Sequence, residues 1–375
     1  MRREAQWSFV LVEDNEQVKR EVMEYMEGEE FAFGSVAVQP LSDFEEALPL
    51  LRQRKVDLLI LDVMGHQDED KTAGIRILEE WRATGFSPVI FYTALPESVQ
   101  ELESPLVRVV GKDSGGLSRL GQTIREIFAL RIPQTHRALA QHFDSALREY
   151  MWGFVLENWS RLRGLIDRPD FVRLLLHRLA AQFSREGVES IVEKLYPGTS
   201  MRTPEGHMAH PTEYYIKPPI GTNPQLGDIR RLEKDLFVVV WPSCDLVLRG
   251  ESCKVERALC ARALPLADYP EFKEWLSERG SSGKRKALEA LMKNNRQSAR
   301  GQSERVHFLP SAWDIPASIV DFQDLRHVEM AELRGAECLA TVASPFAESI
   351  GTRFIRYLGR LGTPDLDIEA CIDAL

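Results

Sequence analysis

Five polar side chains stand directly after predicted β-strands in the first third of the sequence. They are Glu13 and Asp14 after the first strand, Asp62 after the third, Thr93 after the fourth and Lys112 after the fifth. Ligands of an open parallel sheet bind outside the carboxyl ends of its strands. We therefore expect these five side chains to converge in one crevice.

The three acids predict a magnesium site. Carboxylates packed together repel one another unless a cation neutralises them, and hard oxygen ligands of this kind suit Mg²⁺. Glu13 and Asp14 would hold the ion together with Asp62, and the backbone carbonyl of Met64 would complete its shell. Asp62 could then act as a nucleophile toward phosphorus and form an acyl phosphate.

The remaining two residues suit the same reaction. Phosphoryl transfer depends mainly on positioning and on charge neutralisation. Lys112 would pair with a phosphoryl oxygen, and Thr93 offers a hydroxyl that can swing toward the phosphate. That movement would report the modification to the surface.

The elements that must position these residues alternate along residues 1–130. Apolar, β-rich runs occupy residues 8–12, 33–38, 56–63, 87–94 and 106–112. Amphipathic helical stretches lie between or after them: NEQVKREVMEYME, SDFEEALPLLRQ, TAGIRILEEWRA, PESVQELE and GLSRLGQTIREIFALR. This alternation predicts an α/β domain, with five parallel strands covered by helices on both faces.

At this point residues 6–130 resemble a family, the receiver domains of bacterial two-component response regulators. The motifs that carry the resemblance are "VLVEDN", "LLILDVM", "VIFYTA" and "VVGKD". The resemblance implies a flavodoxin-like sheet and phosphorylation of Asp62 by a histidine kinase or a phosphotransfer protein. It also implies a Mg²⁺-dependent switch whose output surface includes the fourth helix and the fifth strand. We expect no catalysis beyond phosphotransfer and autodephosphorylation.

Several positions depart from the family pattern. Gly65 stands where the family often has proline, and the acidic residues HQDEDK (66–71) lengthen the same loop. Asp113 replaces the proline that commonly follows the lysine, and Val109 stands where a switch aromatic is common. We therefore expect the signal to leave the phosphate by a nonstandard route.

Residues 131–198 predict a helical linker or bundle. Apolar residues recur at steps of three or four along one stripe between residues 139 and 165. Two interpretations remain open: the stripe is the core face of a bundle, or it is a dimerisation helix that joins two receivers in a homodimer. The exposure of Trp152, at the edge of the stripe, distinguishes them.

Residues 199–375 predict an α+β output domain with a mobile basic insertion at 277–305. A faint resemblance to the SH3-like barrels of MazF and PemK ribonuclease toxins rests on "LGDIRRLEKDLFVVVWPS" and "ASIVDFQDLRHVEMAEL". If that likeness holds, the basic residues 284–300 are a candidate RNA-facing surface, whereas the alternative is a solvated loop. No helix-turn-helix or other conventional output motif is evident.

A second functional hypothesis is a receiver-gated enzyme, a nuclease or a cysteine-dependent hydrolase. Cys244 and Asp245, after an apolar strand, could form a nucleophile with its orienter, and His307 or His327 could supply the base. The alternative is a set of packed cysteines without catalytic function.

Composition excludes several other classes. Residues 1–130 contain 14 Lys and Arg against 24 Asp and Glu, which accounts for the whole net charge of −10, so no net basic, DNA-binding domain is evident. No apolar run is long enough to predict a membrane span. The first strand begins too early for a signal peptide, and the five cysteines form no obvious disulfide framework. We expect a cytoplasmic protein.

Overall fold

A computed structural model describes residues 7–53, 55–65, 72–164, 169–182, 185–198, 208–250, 252–294, 304–359 and 367–374. The chain forms two compact units, residues 1–201 and 202–375. Each unit has its own β-sheet.

The first unit contains a five-stranded sheet in which every strand pairs in parallel. Its strands are β1 (Trp7–Val12), β2 (Val36–Leu41), β3 (Leu58–Leu61), β4 (Val89–Thr93) and β5 (Val107–Gly111). Their order across the sheet is β2-β1-β3-β4-β5, which is the flavodoxin-like order. The predicted fold class of the N-terminal segment is therefore confirmed.

Helices cover both faces of this sheet. They are α1 (Glu16–Gly28), α2 (Phe44–Gln53), α3 (Ala73–Thr84) and α4 (Gly116–Ala129). Helices α2 and α3 pack on one face, and α1 and α4 pack on the other. The central strand β3 is fully buried along its length, because it contacts both layers.

Two predicted elements of this domain were wrong in detail. The fourth helix, PESVQELE, is instead two short 3₁₀ turns, Pro96–Ser98 and Gln100–Leu102. Only Val99 is fully buried there, so this segment lacks the apolar stripe that would hold a longer helix on the sheet. Strand β2 begins three residues later than predicted, because Phe33 stacks on Phe128 in the core and Gly34 turns the chain at a φ of 119°.

A run of helices follows α4 within the same unit. It comprises α5 (Ile132–Glu149), a π-helical turn (Tyr150–Val155), α6 (Trp159–Leu162), α7 (Pro169–Gln182) and α8 (Arg185–Leu195). Arg137 of α5 fixes this run to the sheet: its guanidinium stacks 3.5 Å from the ring centroid of Trp7 and pairs with Asp57, with Nε 3.2 Å from Oδ1. Asp57 also accepts a hydrogen bond from the amide of Ser8. The pair lies at the amino end of β3.

The apolar stripe of residues 139–165 is divided between a buried and an exposed face. Tyr150, Val155 and Leu162 pack against α7. Trp152, in contrast, is 69% exposed. Part of the stripe is therefore core, and part of it is exposed.

The second unit contains a seven-stranded antiparallel sheet. Its strands are β6 (Tyr215–Ile216), β7 (Asp228–Leu232), β8 (Asp235–Val239), β9 (Arg257–Pro265), β10 (Val306–Leu309), β11 (Ser318–Glu329) and β12 (Glu337–Val342). Their order is β10-β11-β9-β8-β7-β12-β6. The helices of this unit are α9 (Ser243–Leu246), α10 (Pro270–Ser277), α11 (Ser282–Met292), α12 (Met330–Gly335), α13 (Phe346–Leu358) and α14 (Ile368–Asp373).

The predicted insertion at 277–305 contains one helix that packs on the sheet, although most of its described residues are at least partly exposed. Helix α11 buries Leu288 and Leu291 against Ile319 of β11. Residues 295–303, which include the end of the candidate RNA-facing surface, lie outside the described residues. None of the helices in the described ranges is long and apolar enough to cross a membrane.

Candidate functional site

A cluster of three acids lies at the carboxyl edge of the parallel sheet. One carboxylate oxygen from each of Glu13, Asp14 and Asp62 lies within 4.8 Å of the others. Glu13 is 1% exposed and Asp62 is 7% exposed, whereas Asp14 is only partly buried. The sheet order places the ends of β1 and β3 side by side, which brings together residues almost fifty positions apart in the sequence.

Lys112 is the cation of the cluster. Its Nζ lies 2.6 Å from Oδ2 of Asp62 and 2.6 Å from Oε2 of Glu13. One ammonium group thus faces two buried carboxylates, with Asp14 beside them. The local charge stays negative, which favours a second cation at this edge.

The pKa of Glu13 reflects this imbalance. Burial raises it from 4.5 to about 6, and the nearby charge of Asp62 also raises it, whereas the ammonium of Lys112 and the amide of Asn15 lower it. Since burial outweighs the contribution of Lys112, this carboxylate is incompletely stabilised in its charged form.

Asp62 is held by short contacts on both carboxylate oxygens. Oδ1 accepts a hydrogen bond from the amide of Val63 at 2.7 Å, and Oδ2 accepts one from Lys112 at 2.6 Å. The amide of Asp62 continues the hydrogen-bond ladder between β1 and β3, because it donates to the carbonyl of Val12. The carboxylate is therefore fixed in position before any substrate binds.

Thr93 and Met64 complete the set of predicted residues. Thr93 is fully buried at the end of β4, its Oγ1 accepts a hydrogen bond from the amide of Leu95 at 3.1 Å, and its carbonyl accepts one from the amide of Lys112. Met64 lies in the turn two residues after Asp62. The acidic residues 66–71, which were expected to lengthen this turn, lie outside the described residues.

Gly74 is part of this site, although it was not among the predicted residues. A Cβ added to it would lie 2.0 Å from the carbonyl oxygen of Asp62 and 3.1 Å from the Cα of Val63. Helix α3 therefore lies so close to the turn after Asp62 that no residue with a side chain fits at position 74. A glycine inside the helical stretch TAGIRILEEW was the available signal.

The donor set fits Mg²⁺. Oxygens bound to one Mg²⁺ at about 2.1 Å stand about 3 to 4 Å apart, so an ion that binds between the acids needs only a small contraction of the 4.8 Å cluster. Glu13, Asp14 and Asp62 would hold the ion, and the ammonium of Lys112 would yield part of its contact with them. When bound, the ion would neutralise charge on a phosphoryl group.

In the described part of the second unit, Cys244 contacts Asp245 but is not hydrogen-bonded to either proposed histidine. Cys244 is exposed on the short helix α9, because β8 already ends at Val239, and its Sγ lies 3.6 Å from Asp245 Oδ1. No hydrogen bond links it to a histidine within the described ranges. His327 is exposed on β11.

His307 has a structural environment. It is 1% exposed, and its Nε2 lies 2.6 Å from the hydroxyl of Tyr214 and 3.2 Å from Nδ2 of Asn294. Oδ1 of Asn294 accepts from the amide of Phe308, which fixes Nδ2 as the donor to the imidazole. Burial, together with the charge of Arg353, lowers the pKa of His307 to about 3, so the ring is neutral.

No protein-family model and no curated protein sequence matches this chain. Solved structures that resemble its N-terminal third include response regulator receiver domains. One is the response regulator TrrA from Thermotoga maritima in complex with Mg²⁺–BeF, at 20% identity and a TM-score of 0.27, covering 32% of this chain and 98% of that chain. Another is the receiver domain of an HD domain-containing protein from Pseudomonas fluorescens Pf-5, at 20% identity and a TM-score of 0.27, covering 33% and 96%. A third, from Pseudoalteromonas atlantica, has 19% identity and a TM-score of 0.26, covering 32% and 97%.

Proposed function

We propose that this chain is a two-component response regulator and that Asp62 is its phosphoacceptor. The single observation that carries the proposal is the cluster itself: a buried carboxylate at the end of the central strand, in contact with Lys112 and beside two further acids. An aspartate that only caps a helix or ends a turn would need neither a contact with Lys112 nor two further acids beside it.

In the proposed reaction, an oxygen of the Asp62 carboxylate attacks the phosphorus of a phosphohistidine on a kinase or phosphotransfer protein. The bond from phosphorus to the imidazole nitrogen breaks, the imidazole takes up a proton, and an acyl phosphate remains on Asp62. The contact of Lys112 with Oδ2 supports its role as partner of a phosphoryl oxygen. Thr93, which is buried at the end of β4 beside Lys112, is the residue that would sense the phosphoryl group.

Mg²⁺ would be held by Glu13, Asp14, Asp62 and the carbonyl of Met64, and it would supply charge neutralisation during transfer. The helical run and the second unit would form the output, which acts by binding a protein partner or by dimerising. The 3₁₀ turns that replace a regular fourth helix support a nonstandard route between the phosphate and that output.

The test is phosphorylation of the full chain by acetyl phosphate with Mg²⁺, followed by intact-mass and peptide mass spectrometry. We expect one phosphoryl group, located on Asp62, that disappears in Asp62→Asn and when EDTA removes the metal. Asp113→Asn is the matched control, because Asp113 is an exposed acid that follows Lys112 and pairs with Arg119. If a known receiver is modified in the same tube while this chain is not, or if Asp62→Asn is modified equally, the proposal is wrong.

A further inference from the structure

Tyr92 is a buried aromatic residue that lies between the Asp62 site and helix α4. It stands on β4, one residue before Thr93, and is 5% exposed. Successive residues of a strand point to opposite faces of a sheet, and the ring of Tyr92 belongs to the core layer on the side of α1 and α4. A buried tyrosine combines an apolar ring with a polar tip, so its neighbours at both places are informative.

The ring of Tyr92 faces the cation of the site. The Nζ atom of Lys112, which contacts Asp62 and Glu13, lies 5.9 Å from the centroid of this ring. An ammonium group over the face of an aromatic ring at this distance is attracted by the negative charge of the face. A change in the position of this ammonium group therefore changes the energy of the ring.

The hydroxyl group of Tyr92 lies against the beginning of α4. A Cβ added to Gly116, the first residue of that helix, would lie 3.0 Å from the Tyr92 hydroxyl and 2.7 Å from the carbonyl oxygen of Gly111. The backbone of α4 thus packs directly on the tip of the ring and on the end of β5. A displaced hydroxyl would meet the helix backbone and not a flexible side chain.

Charges around Tyr92 agree with this position. Burial raises the pKa of Tyr92, and the charges of Glu21 and Glu13 raise it further, whereas the charge of Arg119 lowers it. Glu13 belongs to the acidic site, and Arg119 stands near the start of α4. The hydroxyl is therefore within electrostatic reach of the site and of the helix.

The loop that carries Lys112 is fastened to the same part of α4. The amide of Gly116 donates to the carbonyl of Asp113 at 2.8 Å, and the guanidinium of Arg119 donates to the carbonyl of Gly111 at 3.1 Å. Lys112 lies between these two acceptors in the sequence. The contacts from its ammonium group to α4 are thus continuous, as energetic coupling between two places requires.

We propose that Tyr92 is a positioning residue that couples the ammonium group of Lys112 to the first turn of α4. A phosphoryl group on Asp62 would draw the ammonium group toward a phosphoryl oxygen, and the ring would follow and shift its hydroxyl against Gly116. Because α4 continues through residues 130 and 131 into α5, the movement would enter the helical run. The signal rests on the proposed function, whereas the coupling itself exists in the unphosphorylated chain.

The first experiment measures this coupling without phosphate. Hydrogen exchange of the first turns of α4 is read by mass spectrometry in the full-length wild type, Lys112→Met, Tyr92→Leu and the double variant. Each value is taken relative to β2, at the other edge of the sheet, so that a general loss of stability cancels. We expect Lys112→Met to change the relative exchange by about fivefold in the wild-type background and by less than about twofold in the Tyr92→Leu background.

Tyr92→Phe guards against a fold defect, because it keeps the ring and removes only the hydroxyl group that lies against Gly116. It should also weaken the effect of Lys112→Met on α4. An equal effect of Lys112→Met in the wild-type, Tyr92→Leu and Tyr92→Phe backgrounds would overturn the proposal.

The second experiment repeats the exchange measurement after treatment with acetyl phosphate and Mg²⁺. Tyr92→Phe should be labelled on Asp62 to the same extent as the wild type, but its α4 should respond less to the labelling. Tyr25→Phe is the matched control, because the hydroxyl of Tyr25 also lies against α4, at Gly121, more than one turn beyond Gly116; it should respond like the wild type.

A labelled Tyr92→Phe chain with the full wild-type response in α4 would contradict the proposed coupling. If the wild type itself is not labelled, the proposed function fails, and the first experiment alone decides whether Tyr92 couples Lys112 to α4.

Discussion

Replacing Lys112 with methionine should destabilise the edge of the parallel sheet, because it removes the cation that two buried carboxylates share. The amine of Lys112 lies 2.6 Å from both Asp62 and Glu13. Methionine keeps much of the volume of the side chain but carries no charge. The expected loss is electrostatic and can be worked out from the two acids.

Glu13 sets the first part of this loss. Its pKa of about 6 instead of 4.5 already costs about 2 kcal/mol at pH 7, at about 1.4 kcal/mol per pK unit. Without Lys112 the pKa rises further, and protonation limits the total cost to about 3.4 kcal/mol at pH 7. Glu13 thus contributes up to about 1.4 kcal/mol, and the loss of the Asp62 pair brings the expected destabilisation to about 3 kcal/mol.

The sign of the pH dependence follows from the raised pKa. Since Glu13 is harder to ionise in the folded state than in the unfolded state, its penalty is largest above pH 6 and disappears as the pH falls below 4.5. The effect of Lys112→Met should therefore shrink between pH 7 and pH 5. Because Mg²⁺ supplies the missing positive charge, it should stabilise the Lys112→Met variant itself by about 1.4 kcal/mol at ten times its dissociation constant.

The assay is hydrogen exchange of the β1 and β3 segments in the full chain, read by mass spectrometry at both pH values with and without Mg²⁺. Lys55→Met is the control, because Lys55 pairs with Asp144 at the exposed surface, at 3.5 Å, and its replacement should change stability by less than about 0.5 kcal/mol. If Lys112→Met behaves like this control, or if Mg²⁺ restores no protection, the electrostatic account of the site is wrong.

Two further predictions test the site turn and the second unit. Gly74→Ala should abolish modification of Asp62 by acetyl phosphate, because the added Cβ would lie 2.0 Å from the Asp62 carbonyl oxygen. Gly28→Ala is the control and should react like the wild type, because its Cβ would meet no atom within 4 Å. Equal labelling of the two variants would contradict the steric argument. His307 stays neutral in the folded second unit at pH 5, because burial lowers its pKa to about 3. In the unfolded chain the same histidine takes up a proton below its ordinary pKa of about 6.5. The free energy of unfolding of this unit should therefore fall by about 2 kcal/mol between pH 7 and pH 5. Urea unfolding of the second unit should show this slope in the wild type and in His327→Gln, an exposed control, but not in His307→Gln; an unchanged slope there would show that another group is responsible.

Where a local pattern determines structure, the sequence was a good guide. The apolar run before Asp62 predicts a strand buried on both faces, and every residue of β3 is buried. The alternation of strands and helices then fixes which strand ends meet. Residues that stand after those strands, such as Glu13 and Lys112, could be found without any long-range information.

Where tertiary contacts decide the structure, the sequence was a poor guide. Phe33 looks like part of a strand, but its apolar character serves the stack with Phe128. Pro242, which lacks an amide hydrogen, follows β8 closely, so Cys244 lies on a helical turn and not at a strand end. The periodicity of residues 139–165 showed a stripe, but it could not show that half of the stripe would stay exposed.

The ion pair between Arg137 and Asp57 determines where this chain can be cut. A fragment that ends at residue 130, the predicted end of the receiver, would lack Arg137. Asp57, at the amino end of β3, would then lose its ion pair, and the indole of Trp7 would be uncovered. The partly buried carboxylate of Asp57 would lose its ion pair, and the apolar ring of Trp7 would be exposed to water, so both changes would destabilise the domain. The shortest piece suited to separate expression therefore extends through α5, and measurements on a shorter receiver would describe a weakened protein.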